Sequence, residues 1–210
     1  MGDRTAFFYG TLMVPQVMYR VIYNSSDPQP WQKTLTTAKP AFLPGYQRRK
    51  VRQADYPGII PVATDSSSPS SSVRGTLVTG LTEGDIFRLD TFEGDEYERR
   101  RVPVRVVTAG RVDATDVPGG VFAPTETEEV VAETYVWTAG EDRLEPGEWD
   151  FDEFVREKLR RWVGAGADHE YAEVDAAVAA ELDGTGGRGA NGHIGRALEA
   201  DHRATAEALN

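Results

Sequence analysis

Cysteine is absent from the 210 residues. Disulfide bridges, thiol nucleophiles and cysteine-bound metals are therefore excluded. Histidine is scarce. His169, His193 and His202 all fall late in the chain, none at metal-ligand spacing from another, so the pattern predicts no metal and no zinc hydrolase. Basic charge is in deficit as well, with a formal net charge of −11 and a pI near 4.8. The arginine clusters at Arg48 to Arg52, Arg99 to Arg101 and Arg160 to Arg161 are short or interrupted. They leave no stripe for a nucleic-acid backbone or an anionic membrane, and neither partner is expected. Long apolar runs are missing too. The N-terminus carries no signal-peptide core, and Ala6 stands where a myristoylation pattern wants Ser or Thr. No stretch has the length of a membrane span. The expectation is a soluble cytoplasmic protein. The serines gather at 25 to 26 and 66 to 72, in loop-like sequence that poorly supports a Ser-His-Asp arrangement.

What remains is enough for one ordinary domain, since hydrophobic residues make up 40% of the chain. Thr5 to Tyr9 reads as a first strand, broken by Gly10. Met13 to Tyr23 has helical spacing at Val17, Met18, Val21 and Ile22, with Pro15 suited to a first turn. The segment Tyr9-Gly10-Thr11-Leu12 is then a strand-to-helix turn. Its backbone N–H groups either hold an anion or belong to an ordinary connection. Asn24 to Pro40 reads as a loop with Trp31 as a packing plug. Ala41 to Val51 reads as a strand turning at Pro44-Gly45. Further strands are expected after Tyr56-Pro57-Gly58, over Val73 to Leu81, over Tyr97 to Val107 and over Glu128 to Thr138. Gly75 permits a close backbone approach, and Pro103 argues for an edge or a bulge. The stretches 65–72 and 116–124 read as loops. Asp150 to Val163 is the best-defined helix, capped by Asp150 with Glu153, stopped by Gly164, and striped by Phe151, Phe154, Val155, Leu159 and Trp162. It reads as a packing helix rather than a site. Composition shifts after Gly164. The chain divides into a domain at 1–164 and an Ala/Gly-rich C-terminal tail at 165–210, helical in part and flexible from about 183 on.

The stretch Thr82 to Val106 draws the most attention. Thr82 caps a helix, with Asp85 three residues on, and Ile86, Leu89 and Glu93 fall at i, i+3 and i+7 on one face. Gly94 is placed for a left-handed stop. The last inward position thus carries a carboxylate. Desolvation raises the pKa of such a group, as a general acid/base requires. A structural buried glutamate, or a helix end that turns Glu93 outward, fits the same pattern.

Taken in order, Tyr9-Gly10-Thr11-Leu12, Leu43-Pro44-Gly45-Tyr46, Tyr56-Pro57-Gly58-Ile59, Val73-Arg74-Gly75 and Leu89-Asp90-Thr91-Phe92-Glu93-Gly94 with Tyr97 and Arg99 resemble the γ-glutamylcyclotransferase-like superfamily, within it the AIG2-like branch. Tyr135-Val136-Trp137 and Glu148-Trp149-Asp150-Phe151 fit that branch too. The resemblance spans about residues 5 to 163. It implies an α+β fold, a small mixed β-barrel with packed helices, extended here by the C-terminal tail. It also implies an acyltransferase-class enzyme that cyclises a γ-glutamyl amide to 5-oxoproline and frees an amine, without cofactor or metal. Its small-molecule partner would be a γ-glutamyl substrate. By the resemblance Glu93 is the general acid/base, Tyr9, Gly10, Thr11 and Leu12 bind the γ-glutamyl part, and Tyr97 positions it. A non-catalytic module binding a metabolite or a partner on the same fold is the alternative. A hydrolase in which Glu93 activates water is a third.

Overall fold

The apolar run after Arg4 forms β1 (Arg4–Phe8), and Gly10 ends it. The structure is a computed structural model that describes residues 2–62, 71–109, 126–164 and 167–185. A single 3-10 turn, Thr11–Met13, leads into α1 (Pro15–Tyr23). Pro15 sits in its first turn, where the missing N–H would have had no partner anyway. Val17, Met18, Val21 and Ile22 are buried on one face, as their spacing requires.

The expected loop over 24–40 is shorter than its composition implies. It contains α2 (Pro30–Lys33), closed by reciprocal bonds between Gln29 and Gln32, and it ends where β2 (Thr37–Pro44) begins. Trp31 is 63% exposed and plugs nothing. The one-turn helix that carries it buries no residue, so it has no apolar face to dock. The turn at Gly45 leads to β3 (Tyr46–Lys50), which pairs with β4 (Pro57–Pro61) in a two-stranded sheet. Then follow β5 (Ser72–Leu81), α3 (Glu83–Glu93), β6 (Tyr97–Ala109) and β7 (Glu126–Trp137).

Five strands close a barrel in the order β1-β5-β2-β6-β7. All neighbours are antiparallel except β1 and β7, which meet in parallel where Ala6 faces Glu133, so the barrel is mixed. Alternation along β1 sends Phe7 and Tyr9 into the barrel interior with Leu43, Ile59, Leu77 and Val104, and Ala6 and Phe8 into a second core beneath the helices. Gly75 is needed at the crossing with β1, because a Cβ there would stand 2.3 Å from the Phe8 carbonyl oxygen. Pro103 faces Val131 within the part of the β6–β7 register that runs without a shift from Tyr97 to Val107; the irregularity lies beyond it, between Val107 and Ala109. The β2 ladder touches β6 only at Arg105 and Val106, which leaves an edge where a residue without an N–H is tolerated.

The helix expected over 150–163 is interrupted. Asp150 caps α4 (Phe151–Glu153) by accepting from the Glu153 N–H at 2.9 Å. A π turn, Phe154–Lys158, joins it to α5 (Leu159–Val163). The wider turn shifts the helical phase. Phe154 and Trp162 stay buried, but Val155 leaves the stripe and is 40% exposed. Another 3-10 turn, Ala167–Tyr171, leads to α6 (Ala172–Thr185). This part of the chain packs on the same core. Tyr171 is fully buried, stacks on Phe92 at 5.8 Å and donates its hydroxyl proton to the Trp162 carbonyl at 2.8 Å. Arg20 of α1 pairs with Asp175 of α6 at 2.8 Å. The expected loops at 65–72 and 116–124 lie wholly or mostly outside the described residues, as does the chain from 186 on. No helix among the described residues is long and apolar enough to cross a membrane.

Candidate active site

The start of α3 sets the position of its end. The Thr82 N–H donates to the Asp85 carboxylate at 2.8 Å and the Asp85 N–H donates to the Thr82 hydroxyl at 3.1 Å, a full capping box. With that start fixed, Ile86 and Leu89 enter the core, and Glu93 follows on the same face at the last turn. Gly94 ends the helix at φ +67°, a conformation that favours glycine, and the chain reverses into β6 at Tyr97.

Glu93 borders a cavity of about 220 Å³. Tyr9, Gly10, Thr11, Leu12 and Tyr97 border the same cavity, so the structure brings all six residues singled out in the sequence to one place. Glu93 is partly exposed as a residue, but it opens onto this cavity, with the protein burying its carboxyl. Burial, and next the charge of Asp90, push its pKa up to about 8. The group is therefore mostly protonated at neutral pH and close to the point where it can either take or give a proton.

The turn after β1 has no side-chain cap. Its own hydrogen bonds begin with the Met13 N–H on the Gly10 carbonyl at 3.0 Å. The Tyr9 carbonyl is held from behind by Arg48, whose Nη1 donates to it at 2.7 Å. The Arg48 side chain also donates from Nε to Glu148 at 2.8 Å and lies over the Trp149 ring. Arg48 thus fixes the turn, a role its place in a short basic cluster did not announce.

Three tyrosines surround the carboxyl. The Tyr9 hydroxyl donates to the Tyr135 carbonyl at 2.7 Å, and the Tyr97 hydroxyl donates to the Pro57 carbonyl at 3.0 Å. Burial first, with the nearby Glu93 charge adding to it, drives both well above the ordinary tyrosine range, so both stay neutral. The third is Tyr135, which sequence reasoning placed on a strand but not at the site. Its hydroxyl donates to Asp90 at 2.8 Å, and Arg99 Nε pairs with the same carboxylate at 2.8 Å. Period-2 alternation along β7 marks the face that Tyr135 occupies. That this face meets α3 is a consequence of barrel closure.

Tyr56, Phe92, Glu96, Trp162 and Glu170 complete much of the wall and were not foreseen. Trp162 lies on the helix expected only to pack. It packs and lines the cavity with the same ring, in edge contact with Phe92 at 6.3 Å and Tyr56 at 6.5 Å. Taken together, the site offers one buried carboxyl that can shuttle protons, a turn carrying backbone donors, and a wall of rings.

The family described as gamma-glutamyl cyclotransferase, AIG2-like, matches residues 6–151. Protein AIG2 C of Arabidopsis thaliana is 33% identical over 152 residues, covering 72% of each chain. AIG2-like protein C of the same plant is 30% identical over 159 residues, covering 76% of this chain and 73% of its own. A solution structure of an Arabidopsis thaliana protein, 29% identical, covers 79% of this chain and 81% of its own at a TM-score of 0.45.

Proposed function

The chain belongs to the AIG2-like gamma-glutamyl cyclotransferase family, and from that premise we propose that it converts a γ-glutamyl amide into 5-oxoproline and a free amine. The observation that carries this reading is Glu93, a desolvated carboxyl with a pKa near 8 at the wall of a cavity. In the proposed reaction the substrate's own α-amine attacks its γ-carbonyl. A new C–N bond closes the five-membered ring, and the original amide C–N bond breaks. The attacking nitrogen loses a proton to Glu93, and the leaving nitrogen gains it back. One carboxyl with a pKa close to the working pH can serve both steps. No protein nucleophile is consumed.

The N–H groups of the turn at Tyr9 to Leu12 are assigned to the substrate's α-carboxylate and to the oxygen that gains charge as the ring closes. Holding a flexible γ-glutamyl chain in a folded, near-attack shape is the second source of rate. In favourable intramolecular cases such ordering removes up to ~7–11 kcal/mol of the barrier. Tyr97, with its hydroxyl fixed on Pro57, is assigned the positioning of that folded chain.

Glu93→Gln keeps the shape and removes the basicity. It is expected to lower 5-oxoproline release about 100- to 10,000-fold, measured by chromatography on a panel of γ-glutamyl amides. Full activity in that variant would rule out the assignment. Glutamate as the product would mean hydrolysis instead of cyclisation. Binding of the amides with no turnover would leave a non-catalytic module.

A further inference from the structure

The cavity has to hold negative charge without a cation in its wall. In the proposed reaction the substrate brings an α-carboxylate, and its γ-oxygen gains charge as the ring closes. Glu93, Glu96 and Glu170 border the cavity, and among the described residues no lysine, arginine or histidine does. The turn at Tyr9 to Leu12 is left to meet that charge with backbone N–H groups. A buried cation stands behind it.

That cation is Arg48, on β3, in the two-stranded sheet that stays out of the barrel. Its side chain is only 10% exposed. Nη1 donates to the Tyr9 carbonyl at 2.7 Å, and the guanidinium lies 5.3 Å from the centre of the Trp149 ring. The partner of its Nε, Glu148, is 61% exposed. Water screens that carboxylate, so it offsets the buried guanidinium only in part. The same small sheet presses on the turn a second time. A Cβ on Gly10 would stand 3.0 Å from the Pro57 ring, and the Pro57 carbonyl accepts from Tyr97.

One peptide links Arg48 to the cavity. The Tyr9–Gly10 peptide is trans, so its C=O and N–H point in opposite directions. The C=O is turned to Arg48, and the Gly10 N–H therefore points away from it. Gly10 borders the cavity, and no acceptor among the described residues takes its N–H. A flipped peptide would put a carbonyl oxygen where the donor stands. Arg48 opposes the flip by holding that oxygen. A charged donor on the C=O also polarises the peptide and makes its N–H the stronger donor.

We propose that Arg48 is a positioning residue for the reaction. It aims the Gly10 N–H at a negatively charged oxygen of the substrate and strengthens that N–H through the Tyr9–Gly10 peptide. This rests on the cyclotransferase reading and deepens it. The guanidinium never touches the substrate, yet its charge acts on the one region of the cavity that has to receive an anion.

Two substitutions separate this role from packing. Arg48→Lys keeps a charged donor, and Arg48→Met keeps only the apolar stem. Both lose the Nε bond to Glu148 and the planar fork beside Trp149, so both are expected to lower the melting temperature to a similar degree. Turnover should part them. For 5-oxoproline release from γ-glutamyl butylamide, kcat/KM is expected to fall about 100-fold or more in Arg48→Met, the scale of one lost oxyanion donor, and to stay within about tenfold of the parent in Arg48→Lys. Equal losses in the two, in step with stability, would overturn the inference. A second readout needs neither turnover nor a change at Arg48. In Glu93→Gln, the Gly10 amide proton is expected to move downfield in the NMR spectrum when γ-glutamyl butylamide is added. An amide proton that stays in place overturns the inference even where the parent turns the substrate over. A downfield move with no turnover in the parent upholds the role of the N–H while the cyclotransferase reading fails.

Discussion

The two sides of the cavity are built differently. The inner side comes from the barrel and from the helix lying across it. Tyr9 to Leu12 follows a paired strand, and Glu93 ends a helix whose start is locked by the Thr82–Asp85 capping box. The position of each group follows from backbone geometry. The outer side comes from Trp162 and Glu170, on a short helix after a π turn and on a 3-10 turn. There the positions follow from side-chain packing, through Phe92, Tyr171 and Phe154. The difference is one of tolerance. Groups held by backbone hydrogen bonds are displaced little, as the proposed proton transfer requires, whereas a wall set by side-chain packing can change shape without disturbing the barrel.

The contrast can be broken at several points. The largest effect is expected on the inner side, where Glu93→Gln should remove turnover by the factor given above yet leave binding of the amides intact. Loss of binding along with turnover would mean the two sides are not separable. Next comes Tyr171→Ala. Emptying a fully buried aromatic site should cost about 3–5 kcal/mol, read by urea unfolding. If 167–185 belongs to the same cooperative unit as the barrel, unfolding stays a single transition. An early separate transition that reports on this segment would show the outer wall to be an appendage.

Smaller effects follow from pH. Glu93 must be ionised to accept the first proton, so kcat/KM is expected to rise with pH towards about 8 and then level off. Asp90→Asn removes the second cause of the raised pKa and should move that limb to lower pH. Stability runs the other way. The folded-state pKa of Glu93 is raised from 4.5 to about 8. Its contribution is fully present below the unfolded value and is lost as pH rises through the folded one. Glu93→Gln should therefore gain stability relative to the parent between pH 4.5 and 8, seen as a difference in melting temperature that widens across that window. The smallest effect is expected at Val155, which the π turn sets outside the core. Val155→Ser should change stability by no more than about 0.5 kcal/mol, and a larger loss would mean that the expected unbroken stripe exists after all.

Much of the inner side was legible in the sequence. The capping residue Thr82, the spacing Ile86-Leu89-Glu93 and the stop at Gly94 placed a carboxylate at the end of an apolar face. The aromatic run before Gly10 placed a turn ahead of α1. Gly75 was legible as a close approach, and the Phe8 carbonyl is what approaches it. The outer side carried no comparable mark. Trp162 gives the same apolar signal whether its ring faces only core or also a cavity. Glu170 gives the same polar signal as any surface glutamate. Arg48 stands in a short, interrupted arginine cluster with nothing in the sequence to single it out, but it holds the Tyr9 carbonyl. Val155 obeyed the 3.6-residue period, and a π turn, which has no firm sequence signature, moved it outward.

Local rules in the sequence thus determined the strands, most of the helices, the turn after β1 and the inward carboxylate at the end of α3, because caps, turns and periodicity act over a few residues and read the same in any fold. Which of those residues meet was decided only by the tertiary structure. Closing β1 onto β7 and setting Trp162 and Tyr171 against Phe92 bring together groups far apart in the chain, around one space. The raised pKa of Glu93 belongs to that second kind, since desolvation is a property of the enclosure and not of the residue.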